Sequence, residues 1–358
     1  MAELFGRRLT KAEILRRVGS MEAIAGIRQL VHAGGRARGM GVYQVVNESL
    51  MFTLNIDKCL DLGSVYSGGV PLHFVARGGE MAPLWFHDGP NASKSITGGM
   101  LFTCGFSNVG PMQSLSTGRT LPQHGYLRTS PACLHGATTC WQGDEYHMEV
   151  TAEMREAALF GENIVMRRTV STRLGESAIH IRDEIENENV HDAPLMLMYH
   201  INVGYPLLDE HAFAVFDALS TRCRDAVAEA GLQKQDCRAF GAPTDGEHEQ
   251  VFYHRLAERD GRSSAALLNP DLRLGLQIEY ANAELPNLIQ WKCKASGDYV
   301  MGLEPSNCYP EGLLAQEKSD ELRVLRAGES IHTELTLRVL RGEAFENFAV
   351  GRGVCTWA

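Results

Sequence analysis

Tyr146-His-Met-Glu-Val-Thr-Ala-Glu-Met154 decides the fold class. Tyr146, Met148, Val150, Ala152 and Met154 alternate with His147, Glu149, Thr151 and Glu153. A period of two puts an apolar row on one side of an extended chain and a polar row on the other. That is the pattern of a half-buried antiparallel strand. It recurs with Phe52, Leu54 and Ile56, with Ile179, Ile181 and Ile185, and near the C-terminus with Ile331, Leu335, Leu337 and Val339. Gly-containing turns punctuate these runs. Strands do not alternate with helices, which disfavours a doubly wound α/β fold. No internal repeat suggests a propeller or solenoid.

Upstream the period changes. Thr10 and Glu13 fit a capping box, and Ile14, Val18, Met21, Ile24, Ile27 and Leu30 follow at helical spacing, weakened by Gly19 and Gly26. Three segments are expected: a short helical extension over 1–40, one large antiparallel β-sandwich over 41–345, and a tail over 346–358. The stretch from Asp217 to Gln235 reads as a helical insertion. The predicted class is all-β.

The chain has 358 residues, enough to bury a full core, and 44% hydrophobic with 22% charged residues argues against global disorder. A net charge of −10 argues against nucleic acid or an anionic membrane surface as the main partner. No apolar run reaches the roughly 18 residues of a membrane span. The charged opening stretch lacks the apolar centre of an export signal. Nine cysteines include no CxxC pair and read as reduced thiols. A soluble, cytoplasmic protein is expected, with no nucleic-acid or membrane partner.

The usual nucleotide loops and the GxSxG and HExxH motifs are absent. The nearest histidine pairs, such as His124 with His135 and His248 with His254, lack the tight spacing of common metal motifs, so no metal or other cofactor is expected. Three places can carry chemistry. His124-Gly-Tyr-Leu-Arg128 lies in a Gly- and Pro-containing loop, where an imidazole can face a pocket or serve as a structural hydrogen-bonding group. Met196, Met198, His200 and Asn202 share one face of an apolar strand broken by Gly204 and Pro206. His200 there is either a general acid or a satisfied core histidine. In Asp298-Tyr-Val-Met-Gly-Leu-Glu304-Pro305, Glu304 stands on an otherwise apolar strand. A carboxylate in that setting is costly unless it is paired or functional.

HisGly, then His-x-Asn-x-Gly-x-Pro at the end of a strand, then Gly-x-Glu-Pro resembles the aldose 1-epimerases, or galactose mutarotases, over about residues 45–340. Asp61-Leu-Gly-Ser-Val-Tyr-Ser-Gly-Gly-Val-Pro71-Leu is similar to their opening strands. His124-Gly-Tyr-Leu-Arg128 is similar to the His-Gly-Phe-Ala-Arg of the branch that accepts hexose 6-phosphates. The wording is closer to a poorly characterised aldose 1-epimerase-like branch than to the true galactose mutarotases. The resemblance implies a galactose mutarotase-like β-supersandwich with a sugar in an open cleft. It implies Glu304 as base and His200 as acid in anomer interconversion, with no cofactor. His124, Arg128, Asn202 and Gln290 would bind substrate, and Arg128 suits an anionic sugar. Trp291 and Trp85 are stacking candidates, with core packing the alternative for each. The family supplies a further Asp. Here Asp245 to His254, or Glu279, are the places for its substitute. Two rivals stay open: another carbohydrate isomerase or lyase on the same fold, and a non-catalytic sugar-binding protein. Oligomeric state is left undetermined.

Overall fold

The computed structural model of the chain describes residues 1–83, 92–319 and 321–353. The alternating runs are strands. Leu50–Asn55, Glu145–Ala157, Ala178–Asn187 and Ser330–Arg341 carry the four patterns that define the class. Along Glu145–Ala157 the residues Tyr146, Met148, Val150, Ala152 and Met154 are buried. Each turns inward because removing its apolar surface from water stabilises the chain by about 25 cal/mol per Å².

Two large antiparallel sheets dominate. The eight-stranded sheet is ordered Cys133–Gln142, Glu145–Ala157, Asn163–Arg173, Ala178–Asn187, Ser330–Arg341, Leu274–Ala281, Arg262–Asn269 and Phe213–Phe216. The six-stranded sheet is ordered Leu101–Phe106, Met196–Gly204, Asp298–Ser306, Asn287–Ala295, Gln250–Leu256 and Ala218–Cys223. A five-stranded sheet runs from Gly26–Val31 through Gly41–Val46, Leu50–Asn55 and Asp61–Ser67 to Val70–Pro71. The main core lies between the two large sheets. Leu197, Tyr199, Ile201, Leu288, Met301 and Leu303 meet Met148, Met166, Ile181, Ile278 and Leu335 there. The fold is a large antiparallel β-sandwich, as the alternation requires, and it has the architecture that the resemblance implies.

A buried ionic cluster ties the three sheets together. Arg168, 1% exposed, donates to Asp183 through Nε and Nη2 at 2.9 and 2.8 Å, and to Asp61 through Nη1 at 2.7 Å. Its Nη2 also donates to Thr103 Oγ1 at 3.1 Å. Tyr199 donates its hydroxyl proton to Asp183 at 2.6 Å. Tyr199 and Thr103 neighbour two cavity-lining residues in sequence, His200 and Phe102, so the cluster anchors the strands that carry them.

Three helical expectations change. The capping box forms, with Thr10 Oγ1 accepting from Glu13 N at 3.3 Å, but its helix spans only Lys11–Leu15. Gly26–Val31 is a strand paired with Gly41–Val46. A stripe at 24, 27 and 30 does not by itself distinguish helix from strand. Two glycines each cost a helix about 1 kcal/mol, while Ile27 and Val31 suit the ladder. The 217–235 stretch splits into the edge strand Ala218–Cys223 and the helix Ala226–Lys234. Asp225 caps that helix by accepting from Ala228 N at 3.0 Å. The C-terminal segment is not a plain tail, since Glu343–Gly351 is a helix that buries Phe345 and Ala349 against Leu268 and Leu340. Residues 354–358, with Cys355, lie outside the described residues. The other eight cysteines are free. Among the described residues no helix is long and apolar enough to cross a membrane.

Candidate functional site

Alternation along Met196–Gly204 builds the site. Leu197, Tyr199, Ile201 and Val203 face the core, which turns Met198, His200 and Asn202 to the other side of the sheet. There a cavity of about 560 Å³ opens. The neighbouring strand Asp298–Ser306 runs antiparallel, with Ile201 opposite Leu303 and Met198 opposite Ser306. This register sets His200 opposite Glu304.

His200 Nε2 lies 3.2 Å from Glu304 Oε1, with side chains 12% and 2% exposed. The contact is close, but it is not aligned as a hydrogen bond. Glu304 Oε1 and His200 Nδ1 are both buried without a hydrogen-bond partner. Unsatisfied buried polar atoms are costly, by about 1–3 kcal/mol each, so two in one cavity point to a ligand's polar groups. Burial, reinforced by the negative charge of Glu249, pushes the Glu304 carboxyl well above the usual carboxylate range. Burial pulls His200 down to about 4.

The Glu304 side chain folds back over Gly302, where a Cβ would collide with Oε1 and press on Trp291 at 3.1 Å. Gly302→Ala is therefore expected to swing the carboxylate off His200. The variant should fold and lose about 10²-fold in activity, the usual effect of displacing a catalytic group by about an ångström. Sugar kinetics beside a thermal melt will check this.

His124 joins the pair from a loop. Its ring centroid is 5.9 Å from that of His200, and Phe102 packs against both rings at 5.8 and 5.6 Å. The backbone at His124 is left-handed, φ 60°, which costs a non-glycine residue about 1–3 kcal/mol. It is held there because His124 N donates to Gly110 O at 2.9 Å and Gly105 N donates to His124 O at 3.1 Å. The next residue must be glycine. Gly125 has φ 76°, and a Cβ would meet Asn108 O at 2.7 Å. Burial, with the charges of His200 and Arg128, lowers His124 to about 3.

The structure does not bring every sequence-predicted residue to the cavity. Asn202 lines it and donates to Gly99 O at 3.2 Å and His200 O at 3.1 Å. Arg128 does not line it. Its side chain is buried behind Phe102 in a small adjoining space of about 20 Å³ and donates to Ser95 Oγ at 2.8 Å. Burial lowers it to about 10. Gln290 faces the reverse side of its strand, with its carbonyl on His254 Nε2 at 3.1 Å and its amide on Cys237 O at 2.8 Å. Alternation explains this, since Ile289 and Trp291 take the cavity face. Trp291 is a wall residue and not a core one. Its indole N–H donates to Glu249 Oε2 at 2.8 Å. Trp85 lies outside the described residues.

Glu249 was bracketed by the 245–254 stretch, and of those residues it and Val251 line the wall. Glu279 sits in the eight-stranded sheet opposite Thr336. Arg224 and Glu311 also line the cavity, and no motif announces them. Arg224 reaches Glu249 at 3.0 Å and Asp225 at 2.8 Å. Among the described residues no group of three or more His, Cys, Asp or Glu is placed to hold a metal ion.

Solved structures share this architecture. A Klebsiella pneumoniae protein, provisionally named an aldose 1-epimerase, aligns with a TM-score of 0.85 and 21% identity over 92% of this chain and 86% of its own. A galactose mutarotase-like protein of Clostridium acetobutylicum aligns at 0.59 with 13% identity over 89% of this chain and all of its own. Galactose 1-epimerase from Lactobacillus acidophilus aligns at 0.56 with 11% identity over 89% of this chain and all of its own. At such identities the likeness establishes the fold alone. No curated protein matches the chain by sequence. One family model covers residues 37–339, and by that match the chain belongs to the family described as a domain of unknown function, DUF4432.

Proposed function

We propose that the protein interconverts the anomers of an uncharged aldose by opening and closing its ring. The close, buried pair of Glu304 and His200, each with an unpartnered polar atom in a sugar-sized cavity, carries this reading. Burial favours one shared proton on Glu304 and a neutral His200. A sugar hydroxyl donating to Glu304 Oε1 favours the carboxylate and passes the proton to His200. The armed carboxylate then takes the O1 proton while His200 protonates the ring oxygen, and the C1–O5 bond breaks. Rotation about C1–C2 and the reverse steps close the ring on the other face. The fold shared with proteins named as aldose and galactose 1-epimerases supports the reading.

Charge on the wall favours a neutral sugar. Arg224 is the one Arg or Lys on the wall among the described residues, and two carboxylates already hold it. Glu249, Glu304 and Glu311 share that wall. Arg128 is turned away. A phosphate or carboxylate would enter without a free counter-ion. Magnetisation-exchange NMR on neutral and 6-phosphorylated aldoses tests this, and faster exchange of a phosphorylated sugar than of every neutral one would overturn it.

The pH profile follows from the shared proton. Below about 4 His200 takes a second proton, the pair then lacks a base, and the rate should fall as pH drops through that value. An acid limb near 6.5, the ordinary histidine value, would contradict the buried pair.

A further inference from the structure

We propose that the same cavity also isomerises the ring-opened sugar, aldose to ketose, through a 1,2-enediol, with Glu304 as base and His124 as the donor that polarises the carbonyl. This rests on the ring-opening reading above.

Anomer exchange needs one base and one acid, and Glu304 and His200 supply both. His124 is a third titratable group on the same wall, half-buried and kept in place against an unfavourable backbone conformation. Its tautomer is set by the loop. Nδ1 accepts from Gly110 N at 3.4 Å, so the ring proton sits on Nε2. Nε2 makes no hydrogen bond to another described residue. Burial keeps the imidazole neutral. A neutral N–H donor lining the same cavity as a carboxylate base suits enediol chemistry, since the donor stabilises charge on the carbonyl oxygen without needing to lose its own proton.

The step balances within the pair. After ring opening Glu304 holds the O1 proton, and passing it to His200 across 3.2 Å restores carboxylate and imidazolium. Glu304 then takes the proton from C2. The C2–H electrons form the C1=C2 bond, and the carbonyl π electrons move to O1, which accepts the His200 proton under the His124 hydrogen bond. The enediol returns its O2 proton to His200 and receives the Glu304 proton at C1, giving the ketose. Nothing is oxidised or reduced overall, and no co-reactant is consumed.

The test reads both reactions in one sample. Wild-type protein in D2O is incubated with D-glucose, D-galactose, D-mannose, D-xylose, L-arabinose and L-rhamnose. Anomer exchange is followed by magnetisation transfer, and deuterium at C2 and ketose formation by NMR. The expected result is ketose formation on at least one sugar whose anomers exchange, with deuterium at C1 or C2 to the extent that Glu304 exchanges its proton with solvent before returning it. His124→Asn should slow ketose formation by about 10²-fold, and anomer exchange by less. Anomer exchange with neither ketose nor deuterium at C2 overturns the isomerase inference and leaves the ring-opening proposal standing. Neither reaction on any sugar overturns both. The wild-type comparison decides the matter whether or not the variant folds.

Discussion

Replacing Glu304 with Gln is expected to slow anomer exchange by about 10²- to 10⁴-fold, the usual range for a positioned general base. The amide keeps the shape of the side chain over Gly302 and cannot accept a proton from O1. The same change should not weaken the fold. Glu304 is 2% exposed and its Oε1 is unpartnered, so the folded state favours a neutral group at that position. The melting temperature should hold or rise while turnover collapses. Exchange NMR beside a thermal melt on one preparation separates the two effects. Full activity in the Gln variant would remove Glu304 from the mechanism, and a collapsed melt would make it a structural carboxylate.

Arg168→Met should have the opposite signature, a large loss of stability. Removing the guanidinium leaves Asp61 and Asp183 buried without their cation, and breaking a buried pair in this way costs about 3–5 kcal/mol. The sign of the pH dependence is fixed. Even beside Arg168, burial holds Asp61 at about 6, above its unfolded value of 3.8. A carboxyl raised on folding binds its proton more tightly in the native state, so its contribution is present at low pH and lost as pH rises through about 6. The variant should be weakest near neutrality and recover part of its stability toward pH 4. Adding Asp61→Asn and Asp183→Asn should also restore stability, because the stranded charges are then gone. Urea unfolding at several pH values measures all three.

The fold was legible because a two-residue period leaves little choice. Tyr146 to Met154 can bury its apolar row only as a strand, and the structure places it in a sheet. The helical stripe from Ile24 to Leu30 was ambiguous, since spacings of three over one short segment suit either element. Pairing with Gly41–Val46, a contact made 15 residues along the chain at its midpoint, decided it. In the site, Glu304, His200, His124 and Asn202 were readable because each breaks an apolar or Gly-rich local pattern. Gln290 misled because alternation gives the parity of a face and not which parity looks into the cavity. Arg128 misled because its motif fixes a position in a loop and not the direction of a long side chain. Arg224 and Glu311 had no signal at all, since only tertiary folding brings them to the wall.

Strand parity has one more outcome, and it concerns how such a protein changes over generations. On Asn287–Ala295 the odd positions Ile289 and Trp291 look at the ligand space, and the even positions Leu288 and Gln290 are committed to the interior. Val251 and Phe252 divide the same way on the adjacent strand. The two faces of these strands thus answer to different neighbours, the cavity face to the smaller cluster that includes Ile289 and Val251 and the opposite face to the rest of the fold. A lineage can change the cavity face for a new ligand without touching the opposite face, within what packing around Ile289 and Val251 allows, provided Glu304, His200 and Gly302 are left alone.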